Sequence, residues 1–329
     1  MLSLPLSRFL VVFALCTSAV AALAQDILLN ASYDVSRELY KDINPAFAAS
    51  QGGNVRISQS HGAASKQVLA VSNGLPADVV TLNQTPDIDA LVARGLVKST
   101  WRSEFPHQAS PYTTTTVFLV RKGNPKHIQD WSDLARADVK VIMPNPKLSG
   151  SGRYAYLAAW GYGLEQYGST GVHDFMEKLL GNVPVFDGGG RSATTTFTQR
   201  GMGDVLVTFE NEAILIANEL GLKDFDCVYP SLSVDASAPV AIVHKVADRH
   251  GYSKLAKAYL DFLFSKEGQA LIAKHHFRPR DAEVLAANAA KFPPINTFRV
   301  EEKIGAWPSV LTTHFADGGV FDQITESRP

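Results

Sequence analysis

The sequence is nearly without cysteine: of 329 residues, only Cys16 and Cys227 carry a thiol. It has no charge of one sign in excess. Thirty-one Lys and Arg stand against 32 Asp and Glu, for a net charge of −1. That balance gives no electrostatic footprint for a nucleic-acid partner. No apolar run is long enough to span a membrane. The signatures G-x-S-x-G, G-x-x-x-x-G-K-[ST] and H-E-x-x-H are absent, which removes the common hydrolase, P-loop and zincin readings. The nine His are scattered. His275 and His276 are adjacent, so on a helix they point about 100° apart and make a poor metal pair. No metal or cofactor is expected. Asn30-Ala31-Ser32 and Asn83-Gln84-Thr85 fit glycosylation sequons and read as chance matches.

What is present begins with Arg8, an apolar stretch at 9–15, and small residues ending Ala22-Leu23-Ala24. This is the pattern of a cleavable secretory signal peptide over 1–24, too short for a span. Cleavage after Ala24 removes Arg8, leaving 30 basic against 32 acidic residues. It also removes Cys16, so Cys227 has no partner for an internal disulfide and reads as a small buried apolar residue. The mature chain is expected to act outside the cytoplasm, without a membrane anchor, as a monomer.

Apolar residues make up 46% of the chain, enough for sizeable cores, and the length suggests about two domains. Strands are expected near 27–32, 55–58, 77–82, 112–120, 139–143, 183–186, 204–209 and 239–243. Helices alternate with them. One carries Leu39, Ile43 and Phe47 on one face, and Pro45 should kink or split it. Others are expected from 154 to about 163 and over 172–180, 212–220, 252–263 and 268–275. The tail from 292 should pack as a helix against an earlier domain. Such alternation predicts parallel α/β sheets.

The chain is organised around Asn145-Pro146-Lys147-Leu148-Ser149-Gly150-Ser151-Gly152-Arg153, a small-residue turn between a strand and a helix. Two similar turns occur at 59–67, with Gly62-Ala63-Ala64-Ser65, and at 187–193, with Gly188-Gly189-Gly190-Arg191. Each lies at the carboxyl end of a strand, where α/β sheets gather ligands. The first N–H groups of a helix lack intrahelical partners and carry partial positive charge. One such turn reads most simply as a capped helix, with Ser149 or Ser151 as the cap. Three converging turns make a cage of N–H donors for an anion. A donor-only cage suits a compact, acceptor-only oxyanion such as sulfate. Phosphate would leave a proton unpaired, at a cost of roughly 1–3 kcal/mol. Asp187, Glu210 and Glu212 read as a general acid and base, or as groups that cap helices or hold Arg153 and Arg191. Those two arginines read as surface charge, or as partners of the anion or of a domain-closing ion pair.

The chain resembles the periplasmic sulfate- and thiosulfate-binding proteins of ABC importers. The resemblance rests on Tyr33-Asp34-Val35-Ser36-Arg37-Glu38-Leu39, Gln59-Ser60-His61, Arg121-Lys122-Gly123-Asn124-Pro125, Asn145-Pro146-Lys147 with Ser149-Gly150, Tyr156-Leu157-Ala158-Ala159-Trp160-Gly161, Gly203-Asp204-Val205-Leu206 and His314-Phe315. It implies a two-lobed α/β periplasmic binding protein of type II. Lobe one would be 25–116 plus 239–329, and lobe two 117–238. It implies ligand contacts at Ala64, Ser65, Ser149, Gly150, Ser151, Gly190, Arg191 and Phe209, supported by Tyr33, Asp34 and Arg153. It implies membrane permease partners and no catalysis. Molybdate is the alternative anion, and a secreted sulfate- or phosphate-ester hydrolase the rival class. The family usually has Ser at Ala64, Ser or Thr at Leu148 and Ala at Gly152. Sulfate-only members resemble one another in carrying Trp at Phe209, whose ring cannot donate. Phe209, Phe298-Arg299-Val300 and Trp307-Pro308 look more like the thiosulfate-accepting branch.

Overall fold

A computed structural model describes residues 26–219 and 224–326. The expected signal peptide, 1–24, lies outside the described residues. Two sheets carry the fold. The first runs in the order Val55–Gly62, Asp26–Tyr33, Val79–Thr81, Val240–Ile242. Its first three strands are parallel, and the last is antiparallel to its neighbour. The central strand Asp26–Tyr33 is covered on both faces: Leu28 and Ala31 are fully buried, and so are the polar Asn30 and Ser32. Asn30 is satisfied there, because its Oδ1 accepts from Thr81 Oγ1 at 3.1 Å and its Nδ2 donates to Tyr259 at 3.2 Å.

Helix Arg37–Ser50 covers one face through Leu39, Tyr40, Ile43 and Phe47, the four-residue spacing of a buried stripe. Pro45 lies inside this helix and does not divide it. Pro45 and Lys41 are both exposed, one turn apart. The Lys41 carbonyl that loses its N–H partner therefore faces water, which can take its place.

The second sheet runs Phe186–Asp187, Val141–Pro144, Val205–Phe209, Thr116–Arg121, Phe225–Val228. The first three strands are parallel, and Thr116–Arg121 is antiparallel to both neighbours. The alternation of strand and helix therefore gives mixed rather than wholly parallel sheets. Cys227 is a half-buried free thiol on the edge strand, packed on the second core, and burial pushes its pKa up to about 12.

The single strand expected at 112–120 is two. Tyr112–Thr114 pairs with Ala236–Ala238 and Arg278–Pro279, whereas Thr116–Arg121 belongs to the second sheet. The chain changes sheet at Thr115, whose Oγ1 donates to the Val234 carbonyl at 2.9 Å. Ser233 Oγ donates to the Thr116 carbonyl at 2.7 Å, so the backbone that crosses between the sheets is not left unpaired. The crossing also carries an ion pair. Arg278 reaches both carboxylate oxygens of the fully buried Glu210, each at 2.7 Å.

The two helices expected after Arg153 form one run, Gly150–Gly181, kinked at Gly168 with φ of 68°. The tail helices Trp307–Val310 and Val320–Glu326 pack on this run. Lys147 pairs with Asp322 at 2.8 Å, Tyr156 with His314 at 3.0 Å, and Phe186 packs on Phe321. One helix, His244–His250, had no clear periodicity in the sequence.

Removing one partner of a buried ion pair strands the other's charge, at a cost of about 3–5 kcal/mol. Arg278→Ala should therefore lower unfolding stability by about that amount in urea titration. A loss below about 1 kcal/mol would show that Glu210 takes up a proton or water instead.

Candidate functional site

Three helices begin with their N-termini directed toward one another at the cleft between the sheets. Gly150–Gly181 is capped by Ser149, whose Oγ accepts from Gly152 N at 3.4 Å and lies 2.9 Å from Ser151 Oγ. The N-cap residues of Ala64–Ser72 and Gly190–Thr198 supply no side-chain cap, and in the second helix only the Arg191 N–H finds a carboxylate, that of Asp34. Ala64, Gly150, Ser151 and Gly190 are nevertheless buried. A buried helix start without a cap leaves several N–H donors unspent.

Hypothetical side-chain carbons on the glycines show how closely these turns approach. One on Gly190 would stand 3.1 Å from Val35 Cγ1 and 3.2 Å from Ser151 Oγ. One on Gly189 would stand 3.2 Å from Asp34 Oδ2 and 3.9 Å from Ala63 Cβ. One on Gly150 would stand 2.2 Å from Asn83 Oδ1. Ser65 Oγ donates across the cleft to the Leu148 carbonyl at 2.6 Å. Ala64, Ser65, Ser149, Gly150, Ser151, Gly190 and Arg191 are thus brought together with Asp34. Tyr33 lies just behind, fully buried, with its hydroxyl 3.4 Å from that of Tyr112. Phe209 ends its strand and turns its ring toward Tyr154, at a centroid distance of 6.1 Å.

The two arginines span the cleft. Arg191 pairs with Glu38 of the first sheet's helix, and lies 3.4 Å from Glu212 of its own side. Asp34 accepts from the Arg191 backbone, although burial raises its carboxyl above the usual range. Arg153 is buried; its guanidinium donates to Gln84 Oε1 at 2.5 Å and lies 3.9 Å from Asp87. Gln84 in turn donates to the Gly150 carbonyl at 3.1 Å. Of the three acids expected near the site, only Glu212 holds Arg191. Glu210 serves the crossing instead, and Asp187 accepts from Thr196 Oγ1 at 3.1 Å.

No site role was read for Asn83, Gln84, Asp87 or Glu38 in the sequence. Their partners lie far away along the chain, and no local pattern announces them. Burial raises Asp87 to about 6, against the pull of Arg153. Burial likewise raises Glu212 to about 7, against Arg191 and Thr194.

Among the described residues, no group of three His, Cys, Asp or Glu is placed to hold a metal ion, and no helix is long and apolar enough to cross a membrane. Among the described residues, Ser32 Oγ lies 2.6 Å from His61 Nδ1. Ser32 is fully buried, so its oxygen is closed to a substrate. Burial, with Arg37 nearby, holds His61 down at about 4.

Two α/β units joined by crossing strands, with helix starts facing the cleft between them, define a periplasmic-type binding protein. A family model described as bacterial extracellular solute-binding protein matches residues 28–278, and the chain belongs to that family. It is 53% identical over 310 residues to a thiosulfate-binding protein of Pseudomonas aeruginosa, covering 92% of this chain and 93% of that one. It is 48% identical over 316 residues to the sulfate-binding protein of Escherichia coli, covering 94% and 96%. Among solved structures, it superposes on the sulfate-binding protein SubI of Mycobacterium tuberculosis with a TM-score of 0.79. That match has 33% identity and covers 88% of this chain and 99% of SubI.

Two predictions follow from the geometry. Gly150→Ala should prop the units apart, because its new carbon meets the buried Asn83 side chain; small-angle scattering should give a larger radius of gyration than for the parent. An unchanged radius would mean that Asn83 yields. The second concerns Glu212. Between the unfolded value near 4.5 and the folded value near 7, the folded state holds a proton that the unfolded state has released. Stability is therefore fullest below the lower value and is lost as pH rises toward the upper one, by on the order of 3 kcal/mol. Glu212→Gln should flatten that slope in urea titrations at pH 5 and pH 7.5. An unaltered slope would assign it to other groups.

Proposed function

We propose that the protein captures sulfate or thiosulfate outside the cytoplasm and delivers it to the permease subunits of an ABC importer, without catalysis. The observation that carries this reading is the meeting of two uncapped, buried helix starts with the Ser149–Ser151 turn. Backbone N–H groups of Ala64, Ser65, Gly150, Ser151 and Gly190, with the Ser149 hydroxyl, make a cradle of neutral donors, while the Arg191 N–H is taken up by Asp34. Such a cradle matches a dianion that carries no proton at neutral pH. Phosphate, which carries one or two, is disfavoured by an unmatched hydrogen bond. The high identity to proteins named for sulfate and thiosulfate supports the same ligand class.

The mechanism is closure of two lobes, 25–116 with 239–329 less the tail helices, and 117–238. The tail helices from Trp307 on pack on Gly150–Gly181, so they would travel with the second lobe. Arg191–Glu38 and Arg153–Gln84 link the lobes and act as latches outside the anion's first contacts. Tyr33 and Asp34 brace the cradle from lobe one. Phe209 offers no donor to the anion, and its apolar face suits the larger, softer sulfur of thiosulfate.

Calorimetric titration of dialysed protein with sulfate, thiosulfate and phosphate should give micromolar or tighter binding for the first two and none for the third. Phe209→Trp should favour sulfate over thiosulfate by roughly tenfold, the worth of one hydrogen bond of about 1.4 kcal/mol. Tight, equal binding of sulfate and selenate with no thiosulfate binding would sink the thiosulfate assignment. Turnover of a sulfate or phosphate ester would favour the hydrolase class instead.

A further inference from the structure

Arg299, Val300 and Trp307 belong to stretches that stand out in the sequence but have no part in the anion cradle. They form one wall of a cavity of about 200 Å3. Thr85 of the first unit, Tyr154 of the second, and Asp235 beside the crossing strand form other walls, together with Arg280. None of the residues proposed to touch the anion lines this cavity.

Its charges are balanced. Arg280 and Arg299 face Asp235 and Glu301 across the same space. The two arginines are loosely partnered, whereas Asp235 accepts from the Thr113 and Ser237 hydroxyls through one of its oxygens. Arg280 donates to Ser237 Oγ at 2.7 Å, but its nearest Asp235 oxygen is 4.0 Å away and its Nε is buried without a partner. Arg299 lies 3.8 Å from Glu302. Tyr154 is only 4% exposed, and no described residue hydrogen-bonds its hydroxyl. Burial, with Asp235 and Glu301 nearby, keeps that hydroxyl protonated and able to donate. Thr85 Oγ1 is buried without a partner as well. Buried polar atoms are seldom left unpaired, and two of them, Thr85 Oγ1 and Arg280 Nε, sit on residues lining one cavity. His107 and Gln108, on the same lining, hold φ values of 54° and 55°. Consecutive left-handed residues other than glycine persist only where their surroundings enforce them, and they cluster at ligand sites.

We propose that this cavity is a second ligand site, which takes a small zwitterion of the α-amino-acid type. Arg280 and Arg299 receive the carboxylate, Asp235 and Glu301 the ammonium group, and the Tyr154 and Thr85 hydroxyls complete the contacts. A simple anion would meet two carboxylates and a simple cation two guanidiniums, so neither matches the lining. Because both units contribute walls, a ligand here favours the arrangement in which they lie together. Resting on the anion-capture reading, it follows by linkage that the zwitterion and the anion each raise the other's affinity.

The test is calorimetry and thermal melting of the purified protein with each of the twenty standard amino acids, with acetate and methylammonium as single-charge controls. At least one amino acid should bind at roughly millimolar strength or tighter, and the controls at least about tenfold more weakly. Tyr154→Phe and Arg299→Gln should each weaken that amino acid by about tenfold or more while the sulfate titration stays unchanged. The proposal is overturned if no amino acid binds at about 10 mM, if a control binds as well, or if neither variant weakens binding. Loss of sulfate binding with the amino acid still bound would overturn the anion cradle and leave this site standing.

Discussion

The arrangement depends on buried helix starts that the chain itself does not satisfy. A helix ends with N–H groups that need acceptors, and most proteins supply a capping side chain or leave the end in water. Here Ala63 and Gly189 occupy the two cap positions, and neither has a side chain able to accept. The Arg191 N–H goes to Asp34, the remaining donors are given no cap, and the small residues let the turns approach closely enough for several of them to address one point. A larger residue at Gly190 would press on Val35 and Ser151. The same absence of side chains thus provides both the unspent donors and the room for them to meet.

Charge is then used for a different purpose. The ionic side chains around the cleft are partnered, Arg191 with Glu38 and Glu212, and Arg153 with the Gln84 amide and, at 3.9 Å, with Asp87. A fixed cation placed beside the anion would bind phosphate as readily as sulfate, since both are negative. Neutral N–H groups distinguish them by proton content. Under the proposed capture of sulfate, guanidiniums held by Glu38 and Gln84 would leave that distinction intact.

The strand–helix alternation and the three small-residue turns that meet at the cleft were legible in the sequence because each rests on local chemistry: apolar runs, helical spacing, and small residues at strand ends. The misses are of another kind. The stretch at 112–120 is uniformly rich in β-formers, so nothing local marks Thr115 as the point where it changes sheet. The crossing strands Ala236–Ala238 and Arg278–Pro279 are three and two residues long, too short to show a period. Pro45 breaks a helix only if the freed carbonyl is buried, and exposure at Lys41 is a tertiary fact. The latch partners Glu38, Gln84 and Asp87 were silent for the same reason, as a carboxylate that pairs across a cleft looks like any surface acid.

Phe209 shows how a departure from the family pattern can be absorbed. Its ring is almost fully buried and abuts Tyr154, which meets Trp307 edge-on at a centroid distance of 5.8 Å. The contact therefore runs from the cradle's edge, through the first turns of Gly150–Gly181, to the tail and the second cavity. Tyr154 follows Arg153 directly, so the ring facing that cavity and the guanidinium that links the units leave the same helical turn. Any shift of that turn on closure must move both. An indole at 209 would add a donor and also enlarge the first ring of this chain, so the donor and the packing change together. The residue at 209 is thus tied through Tyr154 to the packing of the tail.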